Sequence, residues 1–148
     1  MKSSIIYYGI IPLGGSKMND YIINFLKEIM AIDSPSGYTK EVIHHCQKEA
    51  ENLGFHTHQT NKGNLEIYVE GQDDYTVGFC GHVDTLGLMV RSIKSDGTLA
   101  YTNVGGPIIP TLDGEYCRIH TRSGKCYTGT ILSNYPAVHV YKDAKSAP

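Results

Sequence analysis

The sequence predicts an α/β protein in two parts: the opening portion of an α/β domain, then a small β-barrel-like module. Three observations carry this expectation. Residues 18–84 alternate helical and strand patterns, whereas residues 85–148 hold only short strand runs separated by turn residues. At the change lies Cys80-Gly81-His82-Val83-Asp84-Thr85-Leu86-Gly87-Leu88-Met89-Val90, an apolar stretch bearing a histidine and an aspartate two residues apart. The expected organisation is therefore an unstructured extension over 1–17, an α/β portion over 18–84 and a β module over 85–148.

The first helix begins near Asn19. Ile22, Phe25, Leu26, Ile29 and Met30 fall at i, i+3, i+4, i+7 and i+8, one apolar stripe. Asn19 or Asp20 can cap it, because a side-chain oxygen accepts from the free amides of the first turn. Asp33-Ser34-Pro35-Ser36-Gly37 ends it, since proline lacks a donor and holds the preceding residue extended. A second helix is expected from Thr39 to Leu53, with Val42, Ile43, Cys46, Ala50 and Leu53 inward and Gly54 as its stop. His44 and His45 diverge by about 100° around its axis and so do not share a metal.

Strands follow at Phe55–Gln59 and Leu65–Val69, joined by the turn-rich Asn61-Lys62-Gly63-Asn64. His56 and His58 share a face of the first, read as a solvent-facing polar stripe opposite Phe55 and Thr57. Tyr75–Cys80 reads as a buried central strand that delivers His82 and Asp84 at its end. Leu86–Ile93 and Thr98–Val104 flank Lys94-Ser95-Asp96-Gly97, and Glu115–Thr121 and Lys125–Leu132 flank Arg122-Ser123-Gly124. A last short strand is expected near Val138–Tyr141. Short strands with glycine-bearing turns and no helix between them imply a small barrel or sandwich. Before all this, Lys2 and the apolar Ile5–Leu13 patch offer a poor signal peptide, with one charge and a weak cleavage site. An extension ahead of an internal start at Met18 fits better.

Composition narrows the function. The chain of 148 residues has 41% hydrophobic and 19% charged residues and a net charge of −2. There is no basic footprint for nucleic acid or an anionic membrane, and no apolar run of membrane-spanning length. Cys46, Cys80, Cys117 and Cys126 lack zinc-ribbon or redox spacing, which fits reduced thiols in a cytoplasmic protein. Trp is absent, which weighs mildly against a glycan cleft. Glycan hydrolysis needs two carboxylates across a cleft, and Asp73 and Asp74 are adjacent in a turn. No serine or cysteine stands in an elbow, and there is no glycine-rich phosphate loop.

His82 and Asp84 hold the remaining chemistry. In a strand, residues i and i+2 project from one face. A histidine ligand binds zinc at about 2.0–2.1 Å and wants an acceptor on its other ring nitrogen. His82 suits the first role and Asp84 the second. On spacing alone, a structural histidine bonded to its neighbour is the more common arrangement.

The run Gly81–Val90 resembles the metal-site strand of the M42 metallo-aminopeptidases, the glutamyl and tetrahedral aminopeptidase group sometimes labelled endoglucanase. The resemblance extends back to the first helix and Ser34-Pro35-Ser36-Gly37. It runs forward through Val104-Gly105-Gly106-Pro107 and Asp113-Gly114 to Ser133 and His139. It implies an α/β metallopeptidase domain interrupted after this strand by a small β-barrel domain used in homo-oligomer assembly. It also implies a peptide substrate and two divalent metal ions, zinc or cobalt, activating a bridging water. His82 then corresponds to a ligand of one metal and Asp84 to the catalytic carboxylate behind it. Thr85-Leu86 replaces the Glu-Ile of many members, which leaves subgroup specificity open. Family members are more than twice as long, and their bridging Asp, paired glutamates, second-metal carboxylate and final His have no counterparts here. The chain is therefore expected to be an N-terminal piece, inactive alone. The rival expectation is a non-catalytic β module that assembles partner chains.

Overall fold

The computed structural model describes residues 15–72, 74–133 and 139–140. They fall into two compact units, one ending at Gly105 and the other beginning at Gly106.

In the first unit, α1 spans Gly15–Ala31 and α2 spans Lys40–Asn52. The helix thus starts four residues ahead of Asn19, so Gly15, Ser16 and Lys17 are helical rather than part of an extension; residues 1–14 lie outside those described. Thr39 precedes α2 without capping it through its side chain. At the other end Gly54 takes φ +86°, a left-handed conformation that glycine adopts without steric cost. There the Phe55 amide donates to the Ala50 carbonyl at 3.0 Å and the Gly54 amide to that of Glu51 at 2.9 Å. These two bonds are the Schellman pattern, and they satisfy carbonyls that the helix end leaves open.

The helices meet through aromatic rings and carboxylates. Phe25 stacks between Tyr21 and His45, with centroid separations of 6.3 and 5.6 Å. The Tyr21 hydroxyl donates to Glu49 Oε1 at 2.7 Å, and His45 Nε2 lies 3.1 Å from Glu28 Oε2. Burial, then the hydrogen bond to Glu49, push the Tyr21 phenol up to about 12. A phenol whose folded value exceeds its unfolded value of about 10 binds more protons folded than unfolded between those values. The contact is therefore fully present below pH 10 and is lost as pH rises towards 12. Denaturation midpoints measured from pH 9 to 12 should fall in wild type, and fall less in Tyr21→Phe; parallel curves for the two would rule the contact out as the cause.

The predicted inner stripe of α1 is only half covered. Phe25 and Ile29 are half-buried, but Ile22, Leu26 and Met30 are 55%, 52% and 65% exposed. Full burial among the described residues is confined to Val42, Ala50 and Ser34.

Each predicted hairpin forms. β1 (His56–Gln59) pairs antiparallel with β2 (Leu65–Tyr68), and β3 (Gly87–Ile93) with β4 (Leu99–Val104). The β3–β4 turn places Gly97 at φ +86°, with Asp96 Oδ1 accepting from the Thr98 amide and hydroxyl at 2.9 and 2.7 Å. His56 and His58 are exposed and Thr57 half-buried, as the polar-stripe reading requires.

The buried central strand expected over Tyr75–Cys80 is not present. Tyr75 lies in a bend, residues 76–80 belong to no strand, and Val77 is 64% exposed and Phe79 96%. The apolar composition alone does not bury the run, because a central strand exists only where neighbours flank it on both sides. Among the described residues no strand lies beside it. Asp73 lies outside the described residues.

In the second unit a short 3₁₀ helix, Ile109–Leu112, precedes β5 (Tyr116–His120) and β6 (Cys126–Thr130), which pair antiparallel. The helix-free expectation missed this turn, which Pro110 favours by fixing its own φ. The hairpin base is closed by Ile131 donating to the Glu115 carbonyl at 2.9 Å and Gly114 to that of Ile131 at 2.8 Å. Asp113 Oδ1 accepts from the Ser133 amide at 2.7 Å. Among the described residues the strands form three separate two-stranded sheets and no closed barrel. Of the strand expected near Val138–Tyr141, residues 138 and 141 lie outside the described residues; His139 and Val140 lie in a turn. Among the described residues no helix is long and apolar enough to cross a membrane, and the four cysteines are free thiols.

Candidate functional site

His82 and Asp84 stand on a segment outside the named strands, held by the loop that ends α1. Pro35 keeps Ser34 extended, and this loop forms a parallel bridge between Pro35 and Thr85. The Thr85 amide donates to the Ser34 carbonyl at 2.8 Å, and the buried Ser34 hydroxyl donates to the Val83 carbonyl at 2.9 Å. The segment is thus fixed by bonds to residues some fifty positions earlier, rather than by a central strand. Gly87 follows at closest approach, since a Cβ there would stand 2.6 Å from the Cβ of Pro35.

The two side chains come together as the two-residue spacing predicted. His82 Nδ1 lies 3.1 Å from the Asp84 carbonyl oxygen and 3.3 Å from Asp84 Oδ1. Both oxygens only accept, so Nδ1 carries the proton in this arrangement and Nε2 is the nitrogen left for a ligand. The other carboxylate oxygen, Asp84 Oδ2, accepts from the Ser36 hydroxyl at 2.5 Å. That bond, with the nearby His82 ring, holds the Asp84 carboxyl below the usual carboxylate range. The carboxylate is consequently ionised at neutral pH.

Ser36 was missed as a contributor. The family resemblance includes its loop but assigns the serine no chemistry. The available signal is Ser-Pro-Ser itself, two hydroxyls flanking a proline that ends a helix. Here both serines reach the 82–85 segment, Ser34 its backbone and Ser36 its carboxylate.

Beside the pair opens a cleft of about 480 Å³, lined by Leu26, Ile29 and Met30 of α1, by Ser36, and by residues 82–86 with Gly105. Two histidines of the same unit are placed elsewhere on it. His44 is exposed on α2, and His45 is engaged with Phe25 and Glu28. Among the described residues no three of His, Cys, Asp and Glu gather closely enough to enclose a metal ion. His82 and Asp84 fit one arm of such a centre: an imidazole with its far nitrogen available and its near nitrogen backed by an anion.

Comparison with known proteins follows the same segment. A family model described as M42 glutamyl aminopeptidase matches residues 63–148, more than half of the chain. A protein of Bacillus subtilis (strain 168) named "Putative aminopeptidase YhfE" is 43% identical over 126 residues, 84% of this chain. The crystal structure of the TET aminopeptidase from the marine sediment archaeon Thaumarchaeota archaeon SCGC AB-539-E09 matches with a TM-score of 0.76 at 25% identity, covering 87% of this chain. The chain spans 36% of the length of each of these two relatives.

Proposed function

The chain belongs to the M42 glutamyl aminopeptidase family, and from that premise we propose that it supplies one arm of a metal-dependent aminopeptidase centre. The observation that carries the reading is the His82–Asp84 pair, held at 3.1 and 3.3 Å within the matched residues and tied to the Ser34–Gly37 loop. In this reading His82 Nε2 binds one of two divalent cations, zinc or cobalt. Asp84 keeps the ring in the Nδ1–H tautomer and backs it with a negative charge. A bound cation of this kind polarises the scissile carbonyl and generates a nucleophile from water at neutral pH. The substrate is a peptide with a free N-terminus, and residues 85–148 form an inserted module through which copies assemble in the cytoplasm.

A two-cation centre needs several carboxylates and a further histidine. Among the described residues no three such groups converge, and the His82–Asp84 pair is one arm, so this chain is expected to be inactive alone. The test is zinc or cobalt titration of the purified 148-residue chain with aminoacyl-anilide hydrolysis as readout. Metal uptake centred on His82 without turnover is the expected result. Turnover would overturn the single-arm reading, and uptake that survives His82→Gln unchanged would remove His82 from the centre.

A further inference from the structure

The geometry points to Ser36 as a positioning residue for His82, acting through the Asp84 carboxylate. The inference rests on the reading of His82 as a ligand, but its geometry stands independently. Asp84 Oδ2 receives the Ser36 hydroxyl and Oδ1 lies 3.3 Å from His82 Nδ1. A carboxylate is planar, so fixing one oxygen fixes the direction of the other. The side chain of Asp84 is 40% exposed, and without the hydroxyl it would rotate into solvent among its rotamers. Ser36 is itself immobilised from behind. It lies between Pro35, whose φ is fixed and which bridges Thr85, and a turn closed by the Tyr38 amide donating to the Pro35 carbonyl at 2.7 Å. A loop that ends a helix thereby sets the orientation of an imidazole far along the chain. Ser34 has a different task, because its hydroxyl holds the Val83 backbone and touches neither side chain of the pair.

The Asp84 carbonyl also accepts from Nδ1, so the carboxylate determines part of the tautomer preference rather than all of it. The readout is the ring nitrogen shifts of His82 in the metal-free 148-residue chain, which report the ratio of Nδ1–H to Nε2–H tautomer. Ser36→Ala should lower that ratio by roughly 2- to 10-fold, the worth of one hydrogen bond. Ser36→Thr, which keeps the hydroxyl, should restore it. Ser36 is exposed, so truncation removes little packing. If Ser36→Ala nevertheless fails to fold, Ser36→Cys, a near-isostere with a weak donor, reads the same effect. An unchanged ratio in Ser36→Ala, or a Ser36→Thr ratio as low as that of alanine, overturns the proposal. Zn²⁺ added to the wild-type chain separates this from the ligand reading. A Ser36-dependent tautomer together with a Zn²⁺ shift at His82 Nε2 supports both. A Ser36-dependent tautomer with a His82 ring that Zn²⁺ leaves unmoved supports the positioning role and ends the ligand reading.

Discussion

Asp84→Ala is expected to weaken Zn²⁺ binding at His82 by roughly 10- to 100-fold, the usual consequence of removing the group behind a ligating histidine. The expected size follows from what the carboxylate does and what survives it. Its loss removes a negative charge 3.3 Å from Nδ1 but leaves the Asp84 carbonyl at 3.1 Å, so the ring keeps one acceptor and loses its anionic support. An imidazole without that support is a poorer donor to a cation. The substitution opens no cavity, because the side chain is partly in solvent, and the bonds from the Ser34 hydroxyl to the Val83 carbonyl and from the Thr85 amide to the Ser34 carbonyl remain. Asp84→Asn should fall between the two, since an amide still offers an oxygen but no charge. The measurement is the Zn²⁺ concentration at which the His82 Nε2 signal shifts, with circular dichroism confirming the fold. A change below about 3-fold in Asp84→Ala would show that the carbonyl alone supports the ring and that the carboxylate serves another purpose.

How much of this site could be read from the chain differs by residue. The pairing of His82 with Asp84 follows from their two-residue spacing, because any extended backbone places such side chains on one face, whether or not it is in a sheet. That is why the pair survives although the expected strand under it does not. Tyr75–Cys80 shows the opposite case. Its composition is right for a buried strand, yet strand formation is decided by neighbours that a local pattern does not contain. The α1 stripe fails in the same way: periodicity identified the face, but coverage by another element is non-local, and Leu26 and Met30 are left exposed. The hairpins were legible because their turn residues and strand runs are contiguous. Gly54 was legible as a helix stop for the same reason. Ser36 was not, since its partner lies 48 residues away and hydroxyls carry no periodic signature. Family resemblance pointed to the correct loop, and only the geometry connects that loop to the carboxylate.

Gly87→Ala should be the most damaging single-methyl substitution near the site. The added Cβ would lie 2.6 Å from Pro35 Cβ and 3.3 Å from its Cγ. A flexible side-chain end would swing away, but a pyrrolidine ring has no such freedom. Relief requires the Ser34–Ser36 segment to withdraw from residues 83–85. That movement strains the Thr85–Ser34 and Ser34–Val83 hydrogen bonds and draws Ser36 away from Asp84. Overpacking alone typically costs about 1–3 kcal/mol, and strain shared among these bonds adds about 1 kcal/mol, the worth of one of them. A loss of roughly 2–4 kcal/mol is thus expected, a large fraction of the ordinary stability of a domain at about 5–15 kcal/mol. The control is Gly78→Ala, where nothing lies within 4 Å of the new methyl group; it should stay within about 0.5 kcal/mol of wild type. Urea denaturation of the three chains measures the difference. If Gly87→Ala proves as mild as Gly78→Ala, the loop is free to move, and the anchoring of Asp84 by the Ser34–Gly37 loop is no longer tenable. If the loss appears as expected and the His82 tautomer shifts with it, then one close contact, between a glycine and a proline, maintains both the local fold and the orientation of the candidate ligand.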